Sequence, residues 1–267
     1  MMTDPLVDRA LSEARPVVFW LDQPEHPEPA PPLSADLEAD LVVVGGGFTG
    51  LWTAVTAAEA DPGRSIVVLE ADTVAFGASG RNGGFCDASL THGLENGIGH
   101  WPDEIDTLIR LGNENLHGLL DVVARHSIDC SPEPAGALDV AVAPWQTESL
   151  AKSAVVHEAH GRHVTLLDAA ATRAEVDSPT YLGGLWHHDG VVMLDPARLA
   201  WGLLRVAKAL GVRFFENTPA RSIEAAQGAE STTVRIRTDG GSVGARNAIV
   251  ATNAFRPQVQ PVSYTHL

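Results

Sequence analysis

Lysine is almost missing from this chain: Lys152 and Lys208 are the only two, and all 18 basic residues face 34 acidic ones. The formal charge of −16 repels phosphate backbones and anionic lipid surfaces, so no nucleic-acid partner is expected. The scarcity of lysine itself reads as GC-rich codon usage and carries no function. Cysteine is equally thin. Cys86 and Cys130 are too few and too far apart for a disulfide framework or a zinc site, so two reduced thiols and no metal are expected. Long apolar runs are absent too: no stretch approaches the roughly 20 residues that span a bilayer, and no basic segment leads into an apolar one at the start. A cytoplasmic protein without a membrane partner is the expectation. What remains is ordinary for a globular chain: 267 residues, 45% hydrophobic, with mean hydropathy of +0.02, enough to bury one large core or two modest ones.

Glycine is where the sequence becomes informative. The apolar run Leu41 to Val44 suits a strand buried on both faces of a parallel sheet, and Gly45, Gly47 and Gly50 follow it in the pattern G-x-G-x-x-G. The first glycine permits a tight turn, the second lets a pyrophosphate approach the backbone, and the third lets helix and strand pack closely. Leu51, Ala54, Val55 and Ala58 then recur at helical spacing, so a helix N-terminus with free N–H groups points at the turn. A second buried-strand pattern, Ser65 to Leu69, ends in Glu70. An acidic side chain about 20 positions after the last glycine can accept hydrogen bonds from a ribose. Together these features predict a dinucleotide site.

Around that element the chain divides. Residues 1–36 form an N-terminal arm, with an apolar patch at Val17 to Leu21 and a proline-rich run, Pro24 to Pro32, that favours extended chain. Phe19 and Trp20 are costly to leave in water, so the arm is expected to pack onto the body. A second glycine-rich stretch, Gly77-Ala78-Ser79-Gly80-Arg81-Asn82-Gly83-Gly84, implies a backbone pressed against something, with Ser79, Arg81 and Asn82 as donors for a phosphate or a polar ring edge. Beyond it, Pro102 suits the first position of a helix whose stripe runs from Ile105 through Leu108, Ile109, Leu116, Leu119 and Leu120 to Val123. A strand over 137–143, a helix over 146–160 and a strand over 163–167 follow. The histidines at 92, 100, 117, 157, 160 and 163 complete no metal-ligand spacing, and His187-His188 reads as an uninformative loop pair. Asp195-Pro196 opens a helix that Gly211 stops, and Val212 to Phe215 predicts a third parallel strand. A hairpin turning at Asp239-Gly240-Gly241 leads into a buried strand, Ala248 to Ala254.

The run from Leu41 to Phe85 resembles the FAD-dependent amine and amino-acid oxidoreductases of the D-amino-acid oxidase superfamily. Phe19-Trp20-Leu21, the Gly77 to Gly84 stretch and Leu194-Asp195-Pro196-Ala197 are most similar to its gamma-glutamylputrescine oxidoreductase-like branch. The resemblance implies an α/β fold: an FAD-binding Rossmann-like domain of the two-dinucleotide type in segments 37–86 and 191–261, with an inserted α+β substrate domain at 87–190, incomplete at the C-terminus. It implies FAD as cofactor; no cysteine or histidine sits where a covalent link to the flavin can be assigned, so a noncovalent one is expected. Gly45, Gly47, Phe48, Thr49 and Gly50 would hold the pyrophosphate, Glu70 and Ala71 the ribose side, and Ser79, Gly80, Arg81, Asn82, Gly83 and Gly84 the phosphate and ring region. Ala220 would offer its backbone to adenine, and Thr252 and Asn253 would close the site beneath the cofactor, Asn253 tolerating a left-handed conformation.

The activity implied is oxidation of a small-molecule amine or amino acid to an imine by hydride transfer to the flavin, followed by hydrolysis. No catalytic acid or base is identifiable; Arg81 and Asn82 are the nearest candidates by resemblance. The final residues, 262–267, resemble the translation of a sequencing adaptor and are expected to be a non-native tail. Two other readings stay open: a non-catalytic truncated fragment that binds FAD without turnover, and a nicotinamide-dependent dehydrogenase with an ordinary Rossmann domain. The glycine-rich 80–84 loop and the hairpin crossover argue against the latter.

Overall fold

A computed structural model describes residues 9, 12–15, 17–229 and 232–254; the sequence tail expected at 262–267 lies outside the described residues. In chain order the strands and helices are β1 (Leu37–Val44), α1 (Phe48–Ala60), β2 (Ile66–Leu69), β3 (Phe85–Asp87), α2 (Leu94–His100), α3 (Ile105–Arg125), β4 (Ala137–Ala141), α4 (Pro144–Ala159), β5 (Val164–Asp168) and α5 (Ala169–Glu175). They continue as β6 (Gly183–His187), β7 (Val191–Met193), α6 (Pro196–Ala209), β8 (Arg213–Phe215), β9 (Ser222–Ala229), β10 (Thr232–Arg237) and β11 (Ser242–Val250). The chain falls into two units: residues up to Asn82 together with those from Pro196 onward, and Gly83–Asp195.

The first unit is built on a six-stranded sheet of order β8-β2-β1-β11-β10-β9. β8, β2, β1 and β11 run parallel, and β10 and β9 fold back antiparallel. The register sets Val42 beside Val67 and Val44 beside Leu69. All four β2 residues and the last four of β1 are buried, as continuous apolar runs demand when both faces of a parallel sheet are covered. On one face Val42, Val44, Val67 and Leu69 pack with Leu33, Ile236 and Val243. α1 packs against β1, β2 and α6 and buries Gly50 together with Leu51, Ala54, Val55 and Ala58, the last four being the helical stripe read from the sequence. The helix of α6 ends before Gly211, which takes φ +91°, a conformation a side chain disfavours.

Two expectations for this unit need correction. The hairpin return and the strand after it are one nine-residue strand, β11, because its register with β1 runs unbroken on both sides of Arg246. Its end is not buried: Ile249 and Val250 are 37% and 48% exposed. The arm does pack, through the Trp20 indole N–H donating to the Asn82 carbonyl at 2.8 Å, Arg198 donating to Gln23 at 2.9 Å, and a His26–Trp201 ring contact at 5.0 Å. Phe19, however, stays 79% exposed.

The second unit is α+β. β4, β6 and β5 form an antiparallel sheet with β6 in the centre, and β3 pairs with β7. The long α3 starts at Ile105, not at Pro102, which lies in the turn before it. A short helix, α2, precedes that turn and had no periodic signal of its own. The α3 stripe behaves as core: Ile105, Leu116 and Val123 are buried. α4 opens two residues earlier than its pattern suggested, with Pro144 in its first turn and Gln146 accepting hydrogen bonds from the Val142 and Ala143 amides at 2.7 and 2.9 Å.

Candidate functional site

Three glycines of the pattern, Gly45 and Gly47 in the turn between β1 and α1 and Gly50 in the first turn of α1, each have a different reason to be glycine. Gly45 takes φ +115°, and a Cβ there would stand 2.5 Å from the Ala251 carbonyl oxygen. That carbonyl is close because the Ala251 amide donates to Val44 at 2.8 Å, running the exit of β11 along the turn. At Gly50 a Cβ would overlap the carbonyl oxygen of Gly45, so the third glycine lets the helix start directly above the turn. Gly47 differs: φ is an ordinary −83°, and a Cβ would meet only the Ser79 hydroxyl, at 2.9 Å. Its emptiness serves the open side of the turn. The Phe48 amide donates to Ser79 Oγ at 2.8 Å, while the Thr49 and Gly50 amides, in the first turn, have no acceptor within the helix. With the positive end of the dipole behind them, these amides suit an anion.

Glu70 follows β2 at once. Its Oε2 accepts from the Gly46 amide at 2.6 Å and its Oε1 from the Asp72 amide at 2.9 Å, leaving further lone pairs on both oxygens for a hydroxyl donor. Burial pushes its pKa above the usual carboxylate value, against the pull of those backbone amides. Turn, helix start and Glu70 border one cleft of about 880 Å³.

Ten of the predicted residues line that cleft: Gly45, Gly47, Phe48, Thr49, Glu70, Ala71, Ser79, Ala220, Thr252 and Asn253. Asn253 takes φ +51°, the left-handed conformation anticipated for it. The other six lie elsewhere. Gly50 is buried behind the turn. Gly80 is buried where a Cβ would meet the Ala75 carbonyl at 2.5 Å and Leu21 at 2.8 Å. Arg81 lies over the Phe76 ring, 4.6 Å from its centroid, and donates to the Phe76 carbonyl at 2.6 Å. Asn82 donates to the Ala78 and Ser79 carbonyls at 3.2 and 2.8 Å, fastening the 78–80 turn. Gly83 and Gly84 belong to the other unit. The cleft also has lining that sequence reasoning missed, above all Asp72, Ala75 and Phe76. Ala75 takes φ +68°, and nothing in an alanine announces a left-handed conformation; only its place between two glycine-rich stretches could have drawn notice.

The second unit holds a smaller cavity of about 280 Å³, where polar side chains such as Asp139, His157 and His187 stand among apolar ones such as Leu94, Ile105 and Val191. His187, read from sequence as an uninformative loop residue, ends β6 and bonds through Nε2 to Asp139 Oδ2 at 3.0 Å. Its ring meets that of His157 edge-on at 4.7 Å. His157 Nε2 stands 3.8 Å from Glu95, which also accepts from the Ser153 hydroxyl. The buried His157 Nδ1 has no hydrogen-bond partner among the described residues. Burial, then the positive charge that His187 can carry, hold His157 below its ordinary pKa, and the bond from His187 holds Asp139 below its own. Among the described residues no group of three or more such side chains is arranged for a metal ion. Both cysteines are free, and burial lifts the Cys130 thiol to about 11, far from a reactive thiolate. No described helix is long and apolar enough to cross a membrane.

Comparison with known proteins agrees with this geometry. Over 230 residues the chain is 36% identical to gamma-glutamylputrescine oxidoreductase of Escherichia coli (strain K12), covering 84% of this chain and 51% of that protein. Among solved structures, glycine oxidase from Geobacillus kaustophilus matches with a TM-score of 0.66 at 19% identity, over 80% of this chain and 55% of that one. NikD, an unusual amino acid oxidase essential for nikkomycin biosynthesis, matches at 0.62 and 22% identity, over 84% and 53%. At such identities these two likenesses concern the fold. The chain spans about half the length of the curated relatives it matches. The model of one family, described as FAD dependent oxidoreductase, matches residues 40–267, most of the chain. The chain belongs to that family of FAD-dependent oxidoreductases.

Proposed function

We propose that the protein oxidises a primary or secondary amine, or an amino acid, to the imine, which water then hydrolyses to a carbonyl compound and the released amine or ammonia. The observation that carries this reading is the cleft of the first unit, where a glycine turn, a helix N-terminus and a carboxylate at the end of β2 border one space in a chain of this family. The residues fit FAD. The cleft volume lies within the roughly 300–1,000 Å³ typical of cofactor sites, Gly47 leaves room where a phosphate must reach the backbone, and Glu70 presents acceptors for a ribose. FAD, when bound, supplies the two-electron acceptor that the oxidation needs.

The chain's own residues bind and orient. The Thr49 amide would take the pyrophosphate beside Gly45 and Gly47, with Gly50 behind the turn letting the helix start there, Ser79 would keep the first amide of α1 in place, and Glu70 and Ala71 would hold the ribose side. The Ala220 backbone would meet the adenine, with Thr252 and Asn253 at the other wall. Gly80, Arg81 and Asn82 would shape the loop that carries Ser79, with Gly83 and Gly84 continuing it. A small organic cation suits the acidic chain better than an anion, and the relative's name points to an amine. We place the protein in the cytoplasm, with no nucleic-acid or membrane partner. A second reading rests on the share of its relatives that the chain spans: the 267-residue chain alone binds FAD and turns nothing over.

The test has two stages. Acid precipitation of the purified protein should release FAD and not FMN or a nicotinamide nucleotide. Anaerobic addition of amines and amino acids, a γ-glutamylated diamine among them, should then bleach the flavin absorbance. Release of NAD without flavin would overturn the reading, and bound FAD that no amine or amino acid bleaches would favour the second one.

A further inference from the structure

Glu216 lies just beyond β8, outside the lining of the cleft, and is only 3% exposed. A carboxylate so far from water must exchange its hydration for protein donors. Two backbone amides provide them. Oε1 accepts from Val74 at 2.7 Å and Oε2 from Ala30 at 2.5 Å, short bonds of the charge-assisted kind. Val74 sits in the 71–76 loop, whose Ala71, Asp72 and Ala75 face the cleft; Ala30 sits in the N-terminal arm. The residues after Glu216 tie the same two segments. The Asn217 and Thr218 amides donate to the Asp72 and Glu70 carbonyls, both at 2.8 Å, and the Leu33 amide of the arm donates to Thr218 Oγ1 at 3.0 Å.

The loop depends on such outside help. It has no strand or helix ladder of its own, and Ala75 takes φ +68°, a conformation that persists only where neighbours over-determine it. One neighbour is the glycine turn, since the Ala75 amide donates to the Gly46 carbonyl at 3.1 Å. The other is the Glu216 carboxylate, one residue earlier.

We propose that Glu216 is a positioning residue for the nucleotide: its carboxylate fastens the N-terminal arm and the 71–76 loop to each other, so that docking of the arm sets the cleft wall beside Glu70. The inference rests on the cleft being the FAD site. It assigns the proline-rich arm a part in cofactor binding although no residue of the arm lines the cleft among the described residues.

The test uses the 267-residue chain, FAD as the probe, and titration of flavin fluorescence. E216Q keeps the side-chain volume but offers only one acceptor oxygen to two amides. It should raise the Kd for FAD by roughly tenfold or more, and hydrogen exchange at the Ala30 and Val74 amides should quicken together while Ile66–Leu69 stays protected. Ala30→Pro removes only the arm's donor, at a residue already restricted to extended backbone by the proline after it. It should raise the Kd by a smaller factor, and should add nothing in the E216Q background. Wild-type affinity in a folded E216Q overturns the inference and leaves the cleft assignment standing; a wild-type chain that does not bind FAD overturns both. Should E216Q fail to fold, Ala30→Pro decides alone: a raised Kd supports the fastening, and an unchanged one overturns it.

Discussion

The cleft of the first unit and the smaller cavity of the second are made of different material. In the first unit the cleft is bordered by a glycine turn, the first amides of a helix and the half-buried Glu70. In the second unit the polar side chains of the cavity wall already have partners, Asp139 with His187 and Ser153 with Glu95 within the wall, and Arg162 with Asn113 outside it at 3.2 Å. A backbone site waits for a ligand with its donors already aimed, because the fold holds them there whether or not anything binds. A side-chain cluster of the second kind responds to protons first, since each change of charge is felt by the neighbour a few ångströms away.

That contrast can be broken by substitution. The largest effect should come from Gly50→Val, because a Cβ there overlaps the Gly45 carbonyl and neither backbone can give way. A loss of about 3 kcal/mol or more from the stability of the first unit is expected, read as a fallen urea midpoint. Gly47→Val is the sharper probe of a backbone site. It should abolish FAD retention by filling the space a pyrophosphate needs, yet cost the apo chain no more than about 1 kcal/mol, the ordinary penalty of a poor helix cap. Normal FAD retention in Gly47→Val would make the turn structural only. Glu70→Ala should weaken FAD binding by about 1.5–3 kcal/mol, the range for a charged acceptor, measured by fluorescence titration.

The smallest effect belongs to the second unit and is visible only against pH. His157 is held below its ordinary value of 6.5 by burial and by His187, with Glu95, Arg162 and Asp139 also facing it. The unfolded chain therefore takes up the proton first, and stability should fall as pH drops through 6.5 toward the lowered value. Asp139, held below 3.8 by its bond from His187, contributes stability above 3.8 that is lost only at still lower pH. His157→Phe should flatten the upper step and leave the lower one, in unfolding midpoints followed across the acid range. A profile unchanged by that substitution would mean that the histidine pair has no electrostatic consequence.

How much of this was legible follows the same division. β1, β2, α1 and the glycine turn could be read because buried parallel strands are continuous apolar runs and because each glycine stands where a side chain has no room. Glu70 could be read from its distance along the chain. The run from Ser79 to Asn82 carried the right kind of residues, yet in the structure Arg81 and Asn82 bond to the loop itself and, of these four, only Ser79 lines the cleft. Polar spacing shows that a donor exists and says nothing of what it donates to. The pairing of His187 with Asp139 and His157 joins positions far apart in sequence on β4, α4 and β6, and no local period encodes such a meeting. Glu216 stayed hidden for the same reason, its two partners lying 186 and 142 positions away.

The order β8-β2-β1-β11 also has a meaning in time. During synthesis β1 and β2 emerge early, whereas β11, the partner on the other side of β1, is made only after the whole of Gly83–Asp195 and everything up to Ser242 has been translated. At roughly 5–20 residues per second the wait is about ten to forty seconds. Throughout it, β1 and β2 have α1 on one face but only each other as strand partners, and both outer edges of that pair are open to the nascent chains of neighbouring ribosomes. The buried sheet centre that makes the glycine turn so dependable in the finished protein is thus the segment most in need of a chaperone while the protein is being made.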